Sequence, residues 1–183
     1  LSAREDIGDT EIVHILTLGI APYAEATFQQ KFRHNAYFIG PNVRDAVAQG
    51  RADYTPVFLS EIPALFRSKR VVIDVAFICV SPPDAHGYCS YGVSTDIVKS
   101  AAESARFVVA EVCEHMPRSL GDCFINVRDI DMLVPSDRAV IEAPQGAPSE
   151  LARRIAKHIA GLIEDGSTLQ LGIGSIPDAV LGY

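Results

Sequence analysis

The sequence predicts an α/β fold, a mainly parallel sheet flanked by helices. Two observations carry that expectation. Apolar, β-rich runs alternate with amphipathic, helix-compatible stretches along the chain, and helix start and stop residues fall in the gaps between the runs. With 183 residues, 48% of them hydrophobic and 21% charged, the chain is long enough and apolar enough to build a substantial core.

The first run, Glu11-Ile12-Val13-His14-Ile15-Leu16-Thr17-Leu18, reads as a strand, and residues 23–32 are compatible with a helix. Ala36-Tyr37-Phe38-Ile39 is a second strand. Asn42 then stands where a helix N-cap belongs, with Asp45 in the first turn and Gly50 at the end, so residues 43–49 are expected to be helical. Residues 54–59 form a third expected strand and 60–66 a short helix. The apolar stretch 71–80 is the longest strand. Past the loop 81–92, Asp96 can cap a helix over 97–105, and residues 107–112 return as a strand. Between 115 and 148 the chain is rich in Pro, Asp and Gly, with short strands at 124–127 and 132–134 and a linker at 142–148. Ser149 is placed to cap a helix on which Leu151, Ile155, Ile159, Leu162 and Ile163 share a face. Residues 168–171 form a last strand. The domain division expected is 1–148 and the beginning of a second α/β domain from 149 to 183.

Sixteen Lys and Arg against twenty-three Asp and Glu give a net charge of −7, which argues against nucleic acid or an anionic membrane as the main partner. An anionic ligand must therefore be held by local geometry. No apolar run approaches the roughly 20 residues of a membrane span. The start, Leu1-Ser2-Ala3-Arg4-Glu5-Asp6, has neither Met nor a signal-peptide pattern and reads as a cut into a longer chain. Cys79, Cys89, Cys113 and Cys123 form no C-x-x-C pair and no zinc-ligand spacing, so a reducing cytoplasm is expected and no metal site.

The strand 168–171 runs into Gly172-Ile173-Gly174-Ser175-Ile176-Pro177-Asp178. Glycines allow close backbone approach, Ser175 is placed to cap a helix, and the first amides of that helix lack internal partners. The pattern suits an anion or oxyanion; it equally suits a tight strand-to-helix connection without a ligand. A dinucleotide fingerprint fails, since Pro177 occupies the third glycine position, and the Gly-Lys-Ser/Thr ending of a P-loop is missing. Serine hydrolysis at Ser90 fails because Gly87 to Gly92 misses the G-x-S-x-G spacing by one residue. His14 and His158 read as partly buried structural histidines. His34, Asn35 and His115 read as loop residues with surface or capping roles.

The stretch Leu169-Gln170-Leu171-Gly172-Ile173-Gly174-Ser175-Ile176-Pro177-Asp178-Ala179-Val180-Leu181 resembles the CoA-contacting loop of acetyl-CoA hydrolase/4-hydroxybutyrate CoA-transferases. The resemblance extends to Ser81-Pro82-Pro83-Asp84-Ala85-His86-Gly87-Tyr88-Cys89-Ser90-Tyr91-Gly92, to Phe32-Arg33-His34-Asn35 and to Gly50-Arg51-Ala52-Asp53-Tyr54-Thr55-Pro56.

It implies an incomplete NagB/RpiA/CoA-transferase-like fold lacking its first strand, and coenzyme A as part of the substrate. Gly172, Ile173, Gly174, Ser175 and Ile176 would contact CoA and stabilise an oxyanion. Ser81, Pro82, Asp84, Gly87 and Tyr88 belong to a loop that would line the cleft. The implied partners are an acyl-CoA, a short-chain carboxylate and further copies of the chain. The implied nucleophile is a glutamate downstream of Tyr183, so the chain by itself is expected to be inactive. Acetyl-CoA hydrolysis and a noncatalytic CoA-binding module are the alternatives.

Overall fold

A computed structural model describes residues 3–142 and 146–183. Ala143, Pro144 and Gln145 of the expected linker, and Leu1 and Ser2 of the expected cut, lie outside the described residues. The chain divides into two compact units, Leu1–Ile141 and Glu142–Tyr183.

The first unit begins with a parallel three-stranded sheet. It comprises β1 (Thr10–His14), β2 (Phe32–Ala36) and β3 (Ala52–Tyr54), in that order across the sheet. Strand β2 precedes the expected 36–39; just past its end the Tyr37 amide still donates to the His14 carbonyl at 3.1 Å, while its ring joins an apolar cluster with Ile62, Phe66 and Ile97. Residues 23–32 form no long helix, only two short 3₁₀ turns, Pro22–Ala24 and Ala26–Phe28. Helix α1 (Arg44–Ala48) follows β2, but Asn42 does not cap it. The Asn42 amide instead donates to the carbonyls of Thr17 and Gly19, at 2.9 and 3.1 Å. Helix α2 (Ile62–Arg67) buries Ile62 and Phe66.

A second parallel sheet has the order β4 (Val75–Val80), β6 (Phe107–Cys113), β8 (Met132–Ser136). Alternation along β4 buries Ala76, Ile78 and Val80, which meet Val108 and Ala110 of β6 and Ala102 of helix α3 (Val98–Ser104). Asp96 is not the cap of α3: the boundary residue is Ile97, with no side-chain cap bond, and Asp96 one residue earlier accepts on Oδ1 from the amides of Ile97 and Val98. The opposite face carries Phe77, 62% exposed, with Val75, Met132 and Val134 also exposed. An antiparallel ribbon of β5 (Tyr88–Ser90) and β7 (Phe124–Asn126) completes this unit. Parallel sheets alternating with helices therefore hold as the fold class.

In the second unit Ser149 caps helix α4 (Glu150–Ala160), its hydroxyl accepting from the Ala152 amide at 3.1 Å. The buried residues of α4 are Ala152 and Ala156, which pack with Ala179 and Val180 of helix α5 (Ser175–Val180). The wide apolar face expected on α4 is largely open: Leu151 is 65% and Leu162 84% exposed. His158 is exposed as well, because the short α5 covers only the alanine stripe. Residues 168–171 join no ladder among the described residues.

Candidate functional site

The glycine turn opens α5 differently from the cap expected. Gly174, at φ 155° and ψ 165°, is the boundary residue, and Ser175 is already the first helical residue, with no side-chain cap bond. Those dihedrals are open essentially to glycine alone. Gly172 has no such requirement, and a Cβ there would meet nothing within 4 Å. The amides of Ser175 and Ile176 have no acceptor inside so short a helix. Pro177 has no N–H to offer, and the Asp178 amide is spent on the Gly174 carbonyl at 3.1 Å. Ile173, Gly174 and Ser175 line a depression of about 300 Å³ together with Gly146, Ala147 and Pro148. Gly172 and Ile176 lie beside it rather than in its wall. Ile173 is 92% exposed, so the turn is open to water.

The 81–92 loop is held by its own polar side chains. The Asp84 Oδ1 accepts from the amides of His86 and Tyr88, both at 2.9 Å, while its Oδ2 takes the Arg118 guanidinium at 2.6 Å. The Tyr88 amide bond, with those from His86 and Arg118, holds the carboxyl below its usual range. Ser81, 3% exposed, receives the Ser90 amide on its hydroxyl at 2.9 Å. Gly87 turns the chain at φ 82°, and Pro82 is exposed. Tyr88 lines a depression built with β7 and α3. Ser90 bonds Ser119 and the Gly92 amide, and no histidine is among its partners.

Three features of the first sheet escape sequence reading. His34 and Asn35 are not in a loop but in β2, where His34 is 1% exposed. The His34 ring stacks on His14 at 4.2 Å between centroids, and the Tyr23 hydroxyl bonds His14 Nε2 at 2.7 Å. Burial, then the neighbouring His34, lowers the His14 pKa to about 4, and burial lowers that of His34 too. Beside them Arg33 grips Asp53 through two nitrogens at 2.5 and 2.6 Å, and Asn35 accepts from Thr55 at 2.8 Å. The two separated sequence stretches 32–35 and 50–56 are thus neighbours, locked across β2 and β3.

A family model for the acetyl-CoA hydrolase/transferase N-terminal domain matches residues 2–143. The chain belongs to that family. Among relatives of this acetyl-CoA hydrolase/transferase domain, the 4-hydroxybutyrate coenzyme A transferase of Clostridium kluyveri is 54% identical over 93% of this chain and 40% of its own. A succinyl-CoA:acetate/propanoyl-CoA:succinate CoA transferase of Fasciola hepatica is 43% identical over 97% and 37%. The chain thus spans about two fifths of the length of the curated relatives it matches. Among solved structures, RipA from Yersinia pestis superposes with a TM-score of 0.87 at 29% identity, covering 97% of this chain and 43% of RipA. A 4-hydroxybutyrate CoA-transferase from Porphyromonas gingivalis gives 0.70 at 36% identity, covering 96% and 47%.

Proposed function

We propose that the protein takes part in moving CoA between a short-chain acyl-CoA and a carboxylate of the acetate or 4-hydroxybutyrate kind. A glutamate outside these 183 residues attacks the thioester carbonyl and expels CoA thiolate, leaving a mixed anhydride. The thiolate then attacks the glutamyl carbonyl, releasing the first carboxylate and forming a glutamyl-CoA thioester. A second carboxylate reverses the sequence. Each addition puts negative charge on a carbonyl oxygen, and backbone amides fixed in advance stabilise that oxygen more than the starting carbonyl.

The observation supporting this role for the turn is Gly174, whose conformation excludes side chains just where the helix starts and the Ser175 and Ile176 amides have no helical acceptors. Exposure to water would weaken such a cradle, so the reading requires the turn to be covered during turnover. Homo-oligomeric association and a cytoplasmic setting belong to the same proposal.

The test is the fate of acetyl-CoA with and without 4-hydroxybutyrate, measured on a protein containing these residues and the downstream half. Acceptor-dependent formation of 4-hydroxybutyryl-CoA supports transfer. Equal release of free CoA in both cases favours hydrolysis, which the family description also names. The 183 residues alone are expected to give neither.

A further inference from the structure

Two loops leave the carboxyl ends of neighbouring parallel strands in the second sheet, residues 81–92 after β4 and residues 114–123 after β6, where Val80 and Val112 are register partners. In open α/β sheets that edge is where ligands are held. The first loop closes on itself: the Ser81 amide donates to the Ser90 carbonyl and the Ser90 amide to the Ser81 hydroxyl, both at 2.9 Å.

The second loop grips the first. The Tyr91 amide donates to the Cys123 carbonyl and the Ser119 hydroxyl to the Gly92 carbonyl, each at 2.9 Å. Gly92 turns at φ 65°, and a Cβ there would run into the Met116 sulfur.

Arg118 carries this interlock out to the turn 84–88. Its Nη2 donates to Asp84 Oδ2 at 2.6 Å and its Nη1 to the Tyr88 carbonyl at 3.0 Å, while its guanidinium carbon lies 4.7 Å from the centre of the Phe124 ring. Asp84 Oδ1 accepts from the amides of His86 and Tyr88, so one carboxylate couples the guanidinium to the backbone of the turn. A planar fork that also stacks on a ring fixes direction as well as distance, which a lysine ammonium cannot do.

What this clamp holds still is an exposed surface. Pro82, Pro83, Ala85, His86 and Tyr88 face solvent, whereas Ser81, Cys89 and Ser90 are buried. A mere connection from β4 to β5 has no need of such bracing. A binding wall at the ligand edge of a sheet does, because a loop ordered in advance loses less entropy when it meets its ligand.

We propose that Arg118 is a positioning residue for acyl-CoA: through Asp84 and the Tyr88 carbonyl it holds the turn 84–88 as a preformed wall against the substrate. The inference rests on the CoA-transfer reading above. A wall that touches substrate and transition state alike acts on binding, so its loss is read in KM rather than in kcat.

The test is steady-state transfer from acetyl-CoA by a protein containing these residues and the downstream half. Arg118→Ala and Asp84→Asn should each raise KM for acetyl-CoA about fivefold or more, with kcat within about twofold of wild type. The double variant should lie within about twofold of the single ones, since both break one unit. Arg118→Lys should fall between wild type and Arg118→Ala. Amide hydrogen exchange should be faster at His86 and Tyr88 and unchanged in β4 and β6, which also shows that each variant is folded. A wild type unable to transfer CoA would sink the transfer reading, and this inference with it. An active wild type whose folded variants keep its KM, lose kcat instead, or show additive single and double effects would overturn this inference alone.

Discussion

The rings of His14 and His34 lie nearly parallel, 23° apart in plane and 4.2 Å between centroids, across the β1–β2 pair. His14 Nδ1 and His34 Nε2 are buried without partners among the described residues. Protonating either ring would bury a charge, and protonating both would set like charges face to face, so the neutral pair is favoured.

Stability should therefore depend on pH. The folded pKa of His14, about 4, lies below the usual 6.5, so the unfolded chain binds more protons between these values. The contribution is fully present above about pH 6.5 and is lost as pH falls through 4, amounting to on the order of 3 kcal/mol. Denaturant titrations at pH 7, 5.5 and 4 should show that fall, with a smaller one in His14→Gln. Parallel curves for the two proteins would count against the stack as the cause.

Gly174 and Gly172 should respond oppositely to substitution. Gly174→Val forces a β-branched residue into a glycine-only conformation, costing about 1–3 kcal/mol locally, and CoA binding by calorimetry should weaken at least tenfold. Gly172→Ala adds a Cβ to open space and should leave binding within about twofold. Equal affinity for both variants would remove the turn from the CoA site.

Ser149→Ala should destabilise the 142–183 unit by about 1 kcal/mol through loss of the bond to the Ala152 amide. Faster hydrogen exchange in the first turn of α4, with rates in the first unit unchanged, is the expected pattern.

The four thiols should be slow toward alkylation at pH 7.5. Cys89, Cys113 and Cys123 are buried. Burial and the charge of Glu111 push Cys79 up to about 11, which starves it of thiolate. Iodoacetamide mass labelling should modify the native protein slowly and all four positions in denaturant. Rapid native labelling of Cys79 would contradict the environment described.

Local chemistry made part of this fold legible. Ser149 carries its cap role in its own side chain and near neighbours, and the strand cores of β4 and β6 follow from apolar runs. What stayed hidden depends on distant residues. Asn42 looked like a cap but answers to Thr17 and Gly19, some twenty-five residues back. His34 looked like a loop residue because Arg33 and Asn35 beside it are polar, yet they face Asp53, Thr55 and Glu11 across the sheet. The glycine turn was readable as a helix start, but the shift of the boundary from Ser175 to Gly174 depends on dihedrals no residue name records.

The alanine stripe joining α4 to α5 has a mechanical consequence. Four buried residues, Ala152, Ala156, Ala179 and Val180, form the whole buried cluster there, and three of them are single methyl groups. A seam that thin lets the helices approach closely but offers little resistance to their parting. The Gly174 turn sits at the root of one helix, so how sharply it can aim the two amides that follow depends on whatever stiffens that seam from outside.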